Sequence, residues 1–171
     1  MNFKPLLQKI ESSEAFKNFK TQYPEAELCA GFFIIDYMAN DSKQTLDYKI
    51  NNKVFTLSLD NNEEIVIQED KLIDIPGRPK LSKINNPEEI NTDLDELKGI
   101  VGTKALDQGI SNKFHKIIAV LQSNPNNQEE KIWNLTCMLE GLAILHVIIN
   151  PTSGEITKFE KKSMMDMIKR K

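Results

Sequence analysis

The sequence predicts an α+β fold made of two helix-plus-curled-antiparallel-sheet units packed as one compact body. Three observations predict it. Residues 29–72 and 113–163 share a layout of apolar run, Asn-rich polar break, alternating hairpin and short final strand. Each stretch follows its own amphipathic helix. Each hairpin has an apolar face that a helix must cover. Corresponding points, Ile50 with Leu139, Leu59 with Ile149 and Ile65 with Ile156, lie about 90 residues apart. The first unit takes residues 1–73, a linker 74–92, and the second unit 93–171.

Phe3, Leu6, Leu7, Ile10, Phe16 and Phe19 recur at helical spacing, and Pro5 suits a first turn, so a helix is predicted over residues 4–20. Tyr23-Pro24 ends it. Residues 28–38 are apolar and short of charge, as in a strand buried on both faces. After the Asn40-Asp41-Ser42 break, Leu46, Tyr48 and Ile50 alternate with Thr45, Asp47 and Lys49. Asn51-Asn52 supplies a tight turn into Phe55, Leu57 and Leu59, giving a hairpin with one dry and one wet face. Asp60-Asn61-Asn62 turns the chain into a further strand at Ile65 and Ile67. Asp74-Ile75-Pro76-Gly77-Arg78-Pro79 and Asn85-Asn86-Pro87 cannot hold a ladder or a helix, which makes 74–92 the linker.

Asp93 and Glu96 form a capping-box pattern, and Leu94, Leu97, Ile100, Val101 and Ala105 continue it as a helix. Phe114 to Leu121 is a strand candidate and the counterpart of 29–38. Residues 132–139 and 142–149 form the second hairpin around Glu140-Gly141, followed by the 150–155 turn and a strand at 156–159. From Ser163 onward, Met164, Met165, Met167 and Ile168 mark a short closing helix.

The composition, 40% hydrophobic and 27% charged, is that of a folded globular chain. A net charge of −3 argues against a general nucleic-acid binder. Neither a signal-peptide core nor an apolar run of membrane-spanning length is visible, so a cytoplasmic location follows by default. Charge is uneven: Asp60 to Lys98 carries eleven acids against five bases, and Lys158 to Lys171 carries six bases against Glu160 and Asp166. The basic segment makes Lys161, Lys162, Lys169 and Arg170 candidate partner-binding residues, with a solvated helix end as the plainer alternative.

A two-residue turn at Glu140-Gly141 would place Leu139 opposite Leu142, Cys137 opposite Ile144, Leu135 opposite His146 and Trp133 opposite Ile148. Trp133, Cys137 and His146 would then share one face and could line a ligand pocket. A Cys–His pair can make a thiolate nucleophile, but no oxyanion donor or orienting carboxylate accompanies it, and buried core residues are the simpler reading. Ile132, Ala143, Leu145, Val147 and Ile149 would make the second face apolar as well. A helix of this chain, the other half or another subunit must cover it. His115 and His146 with two isolated cysteines do not make a metal site, no Gly-rich phosphate loop is present, and no cofactor is expected.

Residues 131–159 resemble a PepSY or cystatin-like module, through Ile132-Trp133-Asn134-Leu135-Thr136, the Glu140-Gly141 turn, Leu145 to Ile149 and the polar turn from Asn150 to Ile156. The first half has Asn61-Asn62-Glu63-Glu64 where the turn glycine would stand. The resemblance implies a tandem of such modules and a role in inhibiting or regulating peptidases, commonly outside the cytoplasm. The residues themselves favour a non-enzymatic interaction module with a protein partner or a second copy. The alternative is a small-ligand-binding protein or enzyme that uses the Trp133, Cys137 and His146 face.

Overall fold

The computed structural model describes residues 1–71 and 81–163. The elements run α1 (Phe3–Glu11), α2 (Glu14–Gln22), β1 (Glu27–Asp36), β2 (Lys43–Ile50), β3 (Lys53–Leu59), β4 (Ile65–Lys71), α3 (Leu94–Asp107), β5 (Phe114–Asn124), β6 (Asn127–Leu139), β7 (Ala143–Ile149) and β8 (Ile156–Ser163). One 3-10 turn stands at Pro87–Glu89.

The two expected sheets are one. The eight strands form a single antiparallel sheet in the order β4-β3-β2-β1-β5-β6-β7-β8. The order helix then four-strand meander does occur twice, but the meanders are joined through their first strands, with Ala30–Asp36 paired to Gln122–Lys116. This corrects the picture of two units each curling around its own helix. The physical reason lies in β1 and β5. Each pairs with its own hairpin partner on one side and has an unpaired edge on the other, which is a liability in water. Both strands carry apolar side chains on both faces, so a central place in one sheet suits them.

All three helices cover the same sheet face. Phe3, Leu6 and Ile10 of α1, Phe16 and Phe19 of α2, and Leu94, Leu97, Val101 and Ala105 of α3 join one core with Phe33, Leu46, Tyr48, Phe55, Leu57, Leu121, Trp133, Leu135 and Val147. Phe3 packs edge-on to both Phe33 and Trp133, so α1 sits across the junction of the meanders.

The helix expected over 4–20 is broken at Ser12-Ser13. From Ile10 to Phe16 is six residues, which on a straight helix would turn Phe16 roughly 240° away from the face of Ile10. The break lets both residues reach the sheet. Ser13 Oγ accepts the N–H of Phe16 at 3.1 Å and donates to Ile10 O at 2.6 Å, capping α2 as α1 ends.

Part of the expected 74–92 linker belongs to the core. Ile84 and Ile90 are buried, and the Ile84 N–H donates to Leu28 O at 2.8 Å. Lys131 beneath it is 7% exposed and meets Glu89 at 3.1 Å. Ser163, expected to begin a helix, ends β8, and the rest of that expected helix lies outside the described residues.

Candidate functional site

The second hairpin departs from its expected register, and the departure rearranges the candidate site. The connection has three residues, not two. Gly141 and Leu142 both take positive φ, 79° and 60°, and Leu139 pairs with Ala143. A one-residue slip sends every side chain of a strand to the opposite face. Cys137 therefore pairs with Leu145, Trp133 with Ile149, and His146 with Thr136. Trp133 and Cys137 point into the helix-covered core with no exposure, whereas His146 lies on the other face. The structure does not bring the three together.

Both thiols are buried. Burial pushes Cys137 up to about 12, and burial with the Asp47 charge does the same for Cys29. Neither is a thiolate at neutral pH. The folded protein should consume no Ellman reagent at mildly alkaline pH and two equivalents once unfolded in guanidinium. Rapid native-state labelling would contradict this burial.

Among the described residues no helix covers the other face of the sheet. Its register can be followed across six strands. One row runs Lys43, Ile34, Ile118, Thr136, His146, Glu160, and the next runs Thr45, Phe32, Val120, Asn134, Ile148, Lys158. Beyond them lie Asp36, Lys116, Met138, Ile144 and Lys162 on one side, and Asp47, Ala30, Gln122 and Ile132 on the other. Phe32, Ile34, Ile118, Val120, Ile132, Met138, Ile144 and Ile148 thus form a contiguous apolar patch over β1, β5, β6 and β7. Seven are partly exposed, and Ile132 is 8% exposed.

A small polar cluster interrupts the patch. His146 Nε2 lies 2.8 Å from Asn134 Oδ1, which the ring satisfies by donating from that nitrogen. Glu160 is across from His146 on β8, with Lys158 and Lys162 each 3.7 Å from the carboxylate. Burial holds the His146 pKa below its ordinary value, aided by Lys158 and Lys162 and opposed by Glu160. The ring is neutral at neutral pH. At the far end of the patch a cavity of about 330 Å³ is lined by His115, Lys116, Met138, Leu142 and Ile144 among others.

The candidate partner-binding cations divide. Lys162 is on the open face and Lys161 on the helix side of the edge strand β8, while Lys169 and Arg170 lie outside the described residues. Among the described residues no three of His, Cys, Asp and Glu come together to hold a metal ion. No helix of the described residues is long and apolar enough to cross a membrane.

What sequence reading missed was which strands own the open apolar face. Alternation in Phe32/Ile34 and Ile118/Val120 carries the signal, and both-sided burial was the expected reading of those strands.

No protein-family model matches the sequence, and no curated protein matches it. Among solved structures, a candidate lipoprotein of Clostridium difficile 630 is similar, with a TM-score of 0.56 at 13% identity. The match covers 87% of this chain and 91% of that one, and at such identity it shows a shared fold.

Proposed function

We propose that the chain is a non-enzymatic interaction module that binds a protein surface through the open face of its sheet. The observation carrying this reading is the one-sided arrangement: among the described residues three helices share one face, and the other carries a partly exposed apolar patch around the His146, Asn134 and Thr136 cluster. Four strands about 4.8 Å apart and about 20 Å long give this face a footprint on the order of 400 Å², a size at which the largest patch of a monomer is often functional. The charged residues are at its rim, as at protein interfaces. Lys116 and Asp36 stand 3.6 Å apart at one end, and Lys158, Glu160 and Lys162 line the β8 side.

The test is site-specific photo-crosslinking in the source cells. A benzophenone side chain at position 118 should form a protein adduct. The same group at exposed Leu106 on α3 should not. No adduct from 118, or equal yields from both, would contradict the reading.

A second reading is a small apolar ligand in the 330 Å³ cavity, which falls within the size range of small-molecule sites. Native mass spectrometry of protein from its own host tests it: a reproducible added mass supports a ligand, and the bare chain mass opposes it.

A further inference from the structure

We infer that the occupant of the open face is a second copy of this chain, stacked sheet on sheet about a two-fold axis parallel to the strands. The inference rests on the open face being the binding surface. The apolar patch spans β1, β5, β6 and β7, so its midline runs between β5 and β6. A two-fold along that midline lays β5 over β6, β1 over β7 and β2 over β8. Ile118 then meets Thr136, Val120 meets Asn134, Phe32 meets Ile148, and Ile34 covers His146. At the polar centre His146 Nε2 and Asn134 Oδ1 already hydrogen-bond to each other, which lowers the cost of covering that pair.

Charge supports the same axis. In the shared rows, Glu160 on β8 comes over Lys43 on β2, and Lys158 comes over Thr45, one row from Asp47. The alternative two-fold, perpendicular to the strands, would lay β8 over β8 and bring the lysine-rich strands together. Size also fits. Six strands about 4.8 Å apart and about 20 Å long offer on the order of 600 Å² per copy, or about 1,200 Å² in total, the lower end of specific interfaces.

The dimer should be sensitive to acid. His146 faces Lys158, Glu160 and Lys162 from β8 and Asn134 and Thr136 from β6, and a second copy adds Ile34 and Lys43. Association removes more water from a ring already held neutral, so the dimer binds the neutral form. It should loosen only as pH falls below the ordinary histidine value of about 6.5.

Sedimentation equilibrium of the full chain tests the proposal. A dimer in the micromolar range is expected. Lys43→Glu should weaken it at least tenfold, and adding Glu160→Lys should restore it, both changes being on exposed or rim positions that spare the core. Ile118→Glu should leave only monomer, and Leu106→Glu should change nothing. A wild-type monomer at hundreds of micromolar, or a Lys43→Glu variant that dimerises like wild type, overturns the second copy. If such a monomer still crosslinks from position 118 to another polypeptide, only the second copy fails. If it forms no adduct, the interaction reading fails with it.

Discussion

Replacing Trp133 by alanine should cost about 3–5 kcal/mol of stability, the range for emptying a large aromatic site in a core that cannot collapse. Trp133 has no exposure and packs against Phe3 at 6.5 Å and Phe33 at 5.8 Å between ring centroids. Its Nε1–H donates to Thr92 O at 2.8 Å. Thr92 in turn gives its own N–H to Pro151 O at 2.8 Å. One side chain thus joins α1, the central sheet, the segment before α3 and the turn after β7. Alanine would open a cavity and leave the Thr92 carbonyl without that donor. Trp133→Phe keeps much of the packing and loses the hydrogen bond, so it should cost about 1–3 kcal/mol. Urea denaturation midpoints check both values. A loss below about 1 kcal/mol for the alanine variant would mean that neighbouring rings close the gap.

The second large effect is at Asp93. Its Oδ1 accepts the N–H groups of Phe3 and Leu94, each at 2.7 Å, and its Oδ2 accepts the Lys4 N–H at 3.1 Å. One buried carboxylate therefore caps α1 and α3 together, where both helix dipoles favour a negative charge. An ordinary cap is worth about 1 kcal/mol, and hydrogen bonds to charged groups contribute more than neutral ones. Asp93→Ala should cost about 2–4 kcal/mol, with Asp93→Asn in between. A loss no greater than that of one ordinary cap would show that α1 does not depend on the carboxylate. Native-state hydrogen exchange at Phe3 and Lys4 separates the two helices directly.

The individual helices and hairpins were largely readable from the residues, but their expected assembly into two separate units was not the one found. The strand–turn pattern of the first hairpin follows from alternation and from Asn51, which takes φ of 51° at the turn. Asp93 was legible as a cap, but not its reach to α1, ninety residues away in sequence. The joining of the two meanders was not legible, because strand order depends on which unpaired edges meet, and nothing local in β1 or β5 specifies that. The candidate site failed on one residue. Glu140-Gly141 reads as a two-residue turn, yet Leu142 adopts a positive φ of 60° and lengthens it. That is an uncommon conformation for leucine, and no propensity announces it. The slip carried His146 away from Cys137 and Trp133, which left the two in the buried core and His146 on the opposite sheet face.

Methyl NMR of the isoleucine-labelled chain across a concentration series tests the proposed pairing of open faces most directly. Ile34, Ile118, Ile144 and Ile148 on the open face should shift together as concentration rises. Ile10, Ile90, Ile117 and Ile149, buried on the helix side, should stay still. Unchanged spectra throughout, or shifts confined to the helix side, would contradict the pairing of two copies through this face.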